Sequence, residues 1–494
     1  MKKIFLFIVA SFVLVSCKKN FLDTPNPNQL ADDNFWLNGN DARLGVNGIF
    51  DVLQDKVMYG GNLNGTQGMP HYDTFTDNSY NGFKWEGPGN YVEGNVSVGN
   101  TVFLFRDFWA SNYKGIVRSN IAIDRIEKMD STKITSSTRT LLLSQAHFLR
   151  GLFYFNIAVY YGDAPLITKP QTIQEASVTK STQQQILDQV VNDLTYAAQN
   201  LPPTVTADQF GYATQGAAYG LLARVQLFNK NWAAAAAAAK AVIDLNQYNL
   251  TAPYNTLFTT AGETTKEIVF SVRFQEVAGY NTSETFGSTF TVAPKVDAQP
   301  MPNAVKDFYC TDGKPITSSP LYNANTPKAN RDPRLIASVW FKGDNFLKDQ
   351  NGNNIFFNGN NNTGYGLRKY VHTQNSPNGT NVAGGQSQDF YILRYADILL
   401  MRAEALIELG DGAAIPEVYS LINQVRARPG VNMPTVQVAE GANLTLAQLR
   451  PILRHERRVE LAFEGLRFFD LKRWGLVQQA YTTMIADNIT GYNP

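Results

Sequence analysis

Cysteine and histidine are scarce in this chain, and neither sign of charge is in excess. Two cysteines, Cys17 and Cys310, cannot build a disulfide framework. Cys310 reads as a buried, small apolar residue. The four histidines, His71, His147, His372 and His455, are too scattered to suggest a metal cluster, and no metal-ligand set or cofactor is assigned. His455-Glu456 begins like a zinc-protease helix, but Val459 stands where the second histidine must be. No Gly-rich phosphate loop, nucleophile elbow or paired-cysteine motif occurs. Lys and Arg number 43 against 42 Asp and Glu, a net charge of +1. That balance lacks the clustered positive charge that nucleic-acid binding requires. Charged residues make up only 17% of the chain, whereas Asn, Gln, Gly, Ser and Thr are plentiful. Such a surface suits neutral, hydroxyl-rich ligands.

One apolar run stands out. Met1-Lys2-Lys3 is followed by an almost wholly apolar stretch from Ile4 to Val15, too short to span a bilayer and placed like a cleaved export signal. It ends in Leu14-Val15-Ser16-Cys17, which resembles the bacterial lipobox. Cleavage before Cys17 and acylation of its thiol are therefore expected, with residues 1–16 as signal peptide. Each buried acyl methylene contributes about 0.8 kcal/mol, so several chains anchor the protein almost permanently. Residues 17–30 carry Pro25 and Pro27 in a polar run and read as an extended tether. No later segment is long and apolar enough to cross a membrane.

From about Thr101 the pattern is mostly helical. Leu142, Ala146, Leu149, Phe153, Ile157 and Tyr161 share one face of a long helix that stops at Gly162-Asp163-Ala164-Pro165. Helices over 186–201, 213–228 and 232–245 follow. The last two look like a tetratricopeptide hairpin, with Ala217, Gly220 and Ala223 allowing close approach and an alanine-rich second helix. A second copy runs from Tyr391 to Arg428, and stacked hairpins of this kind share one continuous core. Thr251 to Gln388 is different: rich in Asn, Gly, Thr and aromatics, with strand-like runs at Glu267–Phe274 and Leu335–Phe341. The stretch Tyr59–Gly99 is similar. Two parts are expected, 31–250 and 251–494, both mainly α, with hairpins carrying an irregular, loop-rich portion that contains short strands. Thr445 to Phe463 forms a helix dense in charge, with Arg454, Glu456, Arg457, Arg458, Glu460 and Glu464. A carboxylate–arginine active site and a set of charge pairs tying helix to turn are the two readings, and the second is preferred.

Three features together resemble the SusD/RagB family of outer-membrane lipoproteins. They are the lipobox followed by Phe21-Leu22-Asp23, the run from Leu393 to Ala405, and the run from Glu456 through Gly465-Leu466-Arg467-Phe468-Phe469-Asp470 to Gly475. Tyr160-Tyr161-Gly162-Asp163-Ala164-Pro165-Leu166 also fits. The resemblance implies four tetratricopeptide-like hairpins in a SusD-like α-α superhelix and lipid-anchored display on the outer membrane of a Bacteroidetes-type bacterium. It further implies a SusC-like TonB-dependent transporter as partner, over which the lipoprotein sits as a lid and delivers captured glycan or peptide; the aromatic loops favour a glycan. Family members usually continue past the Arg-Trp-Gly turn to a Pro-rich segment, whereas this chain stops at Pro494 and reads as a truncated or shortened member.

A neutral sugar is held by stacking its C–H face on an aromatic ring while amides and carboxylates take its hydroxyls. The best cluster is Asp77 to Glu86, with Tyr91 just beyond, in a loop before the first long helix, about where the family places part of its glycan site. Trp85 is the expected platform, with Asn78, Tyr80, Asn81 and Tyr91 around it. Tyr280, Trp340 and Tyr365 are further candidates, whereas Trp36, Trp109, Trp232 and Trp474 read as structural. No catalytic residue is assigned. The alternatives are a glycoside hydrolase, although no carboxylate pair about 5 to 9.5 Å apart is indicated, and a tetratricopeptide scaffold for protein assembly.

Overall fold

The computed structural model describes residues 35–63, 66–84, 87–275, 284–289, 298–348, 351, 353–371 and 387–489. The export signal, Cys17 and the tether lie outside them. The expected helices form where the apolar periodicity placed them, and they are joined by three that the sequence reading did not indicate, over 39–50, 467–474 and 477–486. They are α1 (Gly39–Phe50), α2 (Val98–Lys128), α3 (Ser136–Tyr160), α4 (Gln183–Asn200), α5 (Gln215–Phe228), α6 (Trp232–Asp244), α7 (Tyr395–Leu409), α8 (Ile415–Arg426), α9 (Leu446–Glu460), α10 (Arg467–Trp474) and α11 (Val477–Ala486). Their starts are chemically marked. Asn38 with Asp41, Thr182 with Gln185 and Thr445 with Gln448 form reciprocal caps on α1, α4 and α9. Gly410 in the left-handed region ends α7. No described helix is long and apolar enough to cross a membrane.

From α2 to α8 each helix packs on the next, and α7 follows α6 directly in this stack although 150 residues separate them in sequence. The small residues explain the tightness. A Cβ on Gly220 would lie 2.9 Å from Ile398 Cδ1, and Ala235, Ala236, Ala238 and Ala239 are buried. α6 lies close enough to α7 for Arg402 Nη1 to donate to the Ala236 carbonyl at 2.8 Å. The alanine run is thus helix packing, as its sequence context indicated. Cys310 is a free, buried thiol.

The irregular portion docks on this stack through two-stranded antiparallel ribbons. β1 (Ser79–Asn81) pairs with β3 (Ala298–Pro300), β2 (Ile268–Val272) with β6 (Phe390–Arg394), and β4 (Val339–Trp340) with β5 (Gly366–Leu367). Two expectations change. The expected hairpin copy beginning at Tyr391 opens instead with a strand that zips onto β2. The strand expected over Leu335–Phe341 is a short helix, Pro333–Ser338, before it becomes β4. Proline in the first turn and the Asp332 side chain accepting from Arg334 N favour the helical start.

α9 ties these parts together. Successive residues on a helix point about 100° apart, so Glu456, Arg457 and Arg458 face three directions. Glu456 binds Arg334 at 2.6 Å and Arg426 at 2.7 Å. Arg457 reaches Asp397 at 2.8 Å and Asp470 at 3.2 Å. Arg458 reaches Asp307 at 3.1 Å and Asp77 at 3.0 Å. One turn on, Glu460 takes Arg428 at 2.8 Å, Arg334 at 3.0 Å and Arg394 at 3.1 Å. Arg394 and Arg428 share Glu267 at the start of β2. Arg394 and the buried Lys369 share Glu464. These are charge pairs that tie helix to turn, and also to the hairpins and ribbons. Burial pushes the carboxyls of Asp397 and Glu460 up, but Arg224 with Arg457, and Arg428, Arg394 with Arg334, bring each down to about 2.

Removing one partner of such a buried pair costs roughly 3–5 kcal/mol. Glu460→Gln is expected to lose that much in urea unfolding. Lys240→Ala, in the exposed pair with Asp244 at 2.7 Å, is expected to lose no more than about 0.5 kcal/mol. The folded pKa of Asp397 lies below its unfolded value of about 3.9, so its contribution is complete above pH ~4 and fades as pH falls toward 2. The stability gap between wild type and Asp397→Asn should therefore close over that interval, and a constant gap would contradict the assignment.

Candidate ligand-binding site

The loop carrying the predicted cluster is built from within. Met69–Phe75 forms a 3-10 turn whose residues from Pro70 to Phe75 are buried. Asp73 gathers Phe463 N at 2.7 Å, Arg467 N at 3.2 Å and Asn78 Nδ2 at 3.0 Å. It thus fastens the loop to the turn after α9. Gly465 in that turn has φ +75°, and a Cβ there would lie 2.2 Å from the Met69 carbonyl oxygen. Only glycine allows so close an approach, which gives a physical reason for the Glu464-Gly465-Leu466 step. Asp77 takes both arms of Arg467 at 2.8 Å and Arg458 Nη2 at 3.0 Å. Burial raises the Asp77 carboxyl and the two guanidinia lower it further, leaving it below its ordinary value.

The predicted polar partners lie inside this frame. Asn78 Oδ1 accepts from Arg458 Nε at 2.8 Å, and the Asn78 carbonyl accepts from Met301 N at 2.9 Å. Asn81 Oδ1 accepts from Gly89 N at 3.2 Å. Tyr80 is 1% exposed, in a small core with Val92, Met301, Ala304, Met484 and Ile489. The expectation that Asn78, Tyr80 and Asn81 face a ligand is therefore corrected. All three residues of β1 are buried, because one short ribbon is covered on both sides and the arginines of the C-terminal part need its polar groups.

Tyr91 sits differently. It lies in a short helix, Pro88–Val92, is half-buried, and packs edge-on against Phe75 at 5.2 Å and Phe105 at 5.8 Å. Burial raises its phenol pKa. Phe83 and Lys84 are also half-buried, with Lys84 Nζ 2.8 Å from Glu93. Trp85 and Glu86 lie outside the described residues, as does Tyr280. Trp340 is 3% exposed, its ring covered by the Arg368 guanidinium at 4.3 Å. It belongs to the interior rather than to a ligand face. Tyr365 is half-buried against Phe341 at 5.3 Å.

The structure joins the two irregular stretches that the sequence separates. β1 pairs with β3, and Gln299 in β3 accepts from Asn362 N at 3.0 Å in the turn leading to Tyr365. The loop that carries β1 is thus linked through Gln299 to the turn before β5. Sequence reasoning did not identify Asp73, Asp77, Arg458 and Arg467 as its supports. Among the described residues no group of three or more His, Cys, Asp and Glu is arranged to hold a metal ion.

Comparison with known proteins gives a consistent picture. Residues 53–227 match a family model described as starch-binding and associating with the outer membrane. Residues 266–493 match the model of the SusD family. SusD-like protein P25 of Formosa agariphila is 25% identical, the alignment covering 96% of this chain and 90% of that protein. SusD-like protein P38 of the same organism is 26% identical over 95% and 90%. A crystal structure of a SusD-like carbohydrate binding protein from Bacteroides fragilis superposes with a TM-score of 0.78 at 26% identity, covering 90% of this chain and 88% of that one.

Supports and rim should separate in experiment. Tyr80→Ala is expected to cost about 3–5 kcal/mol, as a large buried ring does, whereas half-buried Tyr91→Ala should cost clearly less. Urea unfolding of both checks this, and equal losses would contradict the division.

Proposed function

This chain belongs to the SusD/RagB family, and from that premise we propose that it captures a glycan at the cell surface and hands it to a transporter. Binding without reaction is the whole of its task. The observation that carries the reading is the pair of family matches across 53–227 and 266–493, together with a carbohydrate-binding relative of the same fold over most of the chain. In this reading Cys17 is acylated and holds the protein on the outer membrane, consistent with the outer-membrane description of the N-terminal match. A SusC-like TonB-dependent barrel receives the ligand.

The proposed ligand face is the rim of the loop after β1, with Trp85 as stacking platform and Tyr91 as a further contact. Its chemistry supports a neutral sugar chain. Asp73 and Asp77 are spent on Arg467, Arg458 and backbone amides, and Glu93 pairs with Lys84, so among the described residues of this loop these carboxylates are already engaged.

The test is affinity gel electrophoresis of the lipid-free chain from Lys18 onward through a panel of neutral and acidic polysaccharides, with Trp85→Ala alongside. Retardation by one polymer, weakened about tenfold in the variant, is expected for the loss of one stacked ring. Equal retardation of wild type and variant would move the platform away from Trp85. No retardation by any polymer would overturn glycan capture.

A further inference from the structure

A second concave surface is built from other elements. The C-terminal end of α1, the segment 203–214 and β2 enclose a trough of two joined lobes. Its floor is every residue from Ile268 to Arg273. Side chains of a strand alternate between faces, so a floor of consecutive residues means that the trough runs along the edge of β2. Among the described residues that edge pairs with no strand, since β2 pairs only with β6.

Three features give the trough the character of a ligand site. Phe210 is 49% exposed, with the Arg273 guanidinium 4.3 Å from its ring centroid, so one ring face is backed and the ring stays accessible. Arg273 is held by Nη1 on the buried Asp389 at 2.5 Å, while its Nε and Nη2 donate to no group among the described residues. Phe50 and Tyr212 stack at 5.2 Å and 3° to form the opposite wall. Tyr212 OH donates to Asn47 Oδ1 at 2.5 Å, and Gln54 Nε2 donates to the Arg273 carbonyl at 2.6 Å. The charges here cancel locally: Asp51 pairs with Arg118 at 2.9 Å, Asp208 lies beside Arg43, Arg273 pairs with Asp389, and Glu263 and Lys266 in the wall offset each other.

We propose that this trough is a second carbohydrate-contacting site, taking a neutral, hydroxyl-bearing sugar ring on Phe210 with Arg273 as hydroxyl donor. It rests on the reading of the protein as a glycan binder and adds a contact remote in sequence from the Trp85 loop. An accessible ring of fixed orientation, unspent guanidinium donors beside it and the absence of net charge are together what a neutral sugar requires. An anionic ligand would lack a free positive partner, since the guanidinium already faces two carboxyl groups, Asp389 at 2.5 Å and Glu263 at 3.9 Å.

The test is isothermal titration of the full chain, held in a detergent without a sugar headgroup, with oligosaccharides cut from the polymer that retards it. Wild type, Phe210→Ala, Phe210→Leu, Trp85→Ala and the Phe210/Trp85 double alanine variant are compared. Phe210→Leu keeps the apolar bulk beside Arg273 without the ring plane, and it carries the test if the alanine variant does not fold. The expected result is two sites per chain in the wild type, one weakened about tenfold by either Phe210 substitution and the other by Trp85→Ala, with both weakened in the double variant. If the Phe210 variants titrate like wild type, the second site is overturned while glycan capture stands. If the wild type binds no oligosaccharide, both readings fall together.

Discussion

A guanidinium taken out of water must be met by carboxylates and carbonyls placed to about half an ångström, or the fold loses several kcal/mol. This protein buries Arg224, Arg334, Arg394, Arg426, Arg428, Arg457 and Arg473 together; Arg457 stands on α9, and Glu456, Glu460 and Glu464, on α9 and in the turn after it, meet Arg334, Arg394, Arg426 and Arg428. Because Glu456, Arg457 and Arg458 leave α9 in three directions, one helix fixes three neighbours at once. These are the short helix carrying Arg334, the hairpin carrying Asp397, and the loop carrying Asp77. Shifting any of these parts by one position would leave a buried charge without its partner.

The candidate surfaces follow from that constraint. The loop after β1 is irregular in backbone yet held from below by Asp73, Asp77 and Asn78, all bound to the turn after α9 or to α9 itself. The trough along β2 shares the scaffold, since Glu267, at the start of that strand, is the joint partner of Arg394 and Arg428. Stacked hairpins supply a frame, and the irregular aromatic segments are displayed on it. In that arrangement specificity can change by substitution in segments such as 82–97 or 203–214 without disturbing the charge network.

How much of this was legible in the sequence depended on the range of the signal. Helix positions were legible because apolar periodicity and caps such as Thr182 with Gln185 act within a few residues. The hairpin reading around Gly220 held because small residues mark close approach wherever they face. The partners of Arg458 were not legible, since Asn78 lies 380 residues away in sequence. The same distance misled the reading of the loop. Asn78, Tyr80 and Asn81 have the composition of a ligand surface, but the groups they meet are the protein's own. Trp340 reads as a ligand candidate for a similar reason, but Arg368 covers its ring. Phe210 went unnoticed because a lone aromatic between Gln209 and Gly211 carries no pattern, and only the fold sets Arg273 against it.

The claim that α9 holds the loop in place is tested most directly by backbone hydrogen exchange in wild type and Arg458→Met. Methionine keeps much of the arginine stem while removing the charge that reaches Asp77, Asn78 and Asp307. The account predicts exchange roughly tenfold or more faster in residues 73–81, with α5 and α6 unchanged, as expected for a local opening. Unchanged protection in 73–81, or a uniform loss across the whole chain, would contradict it.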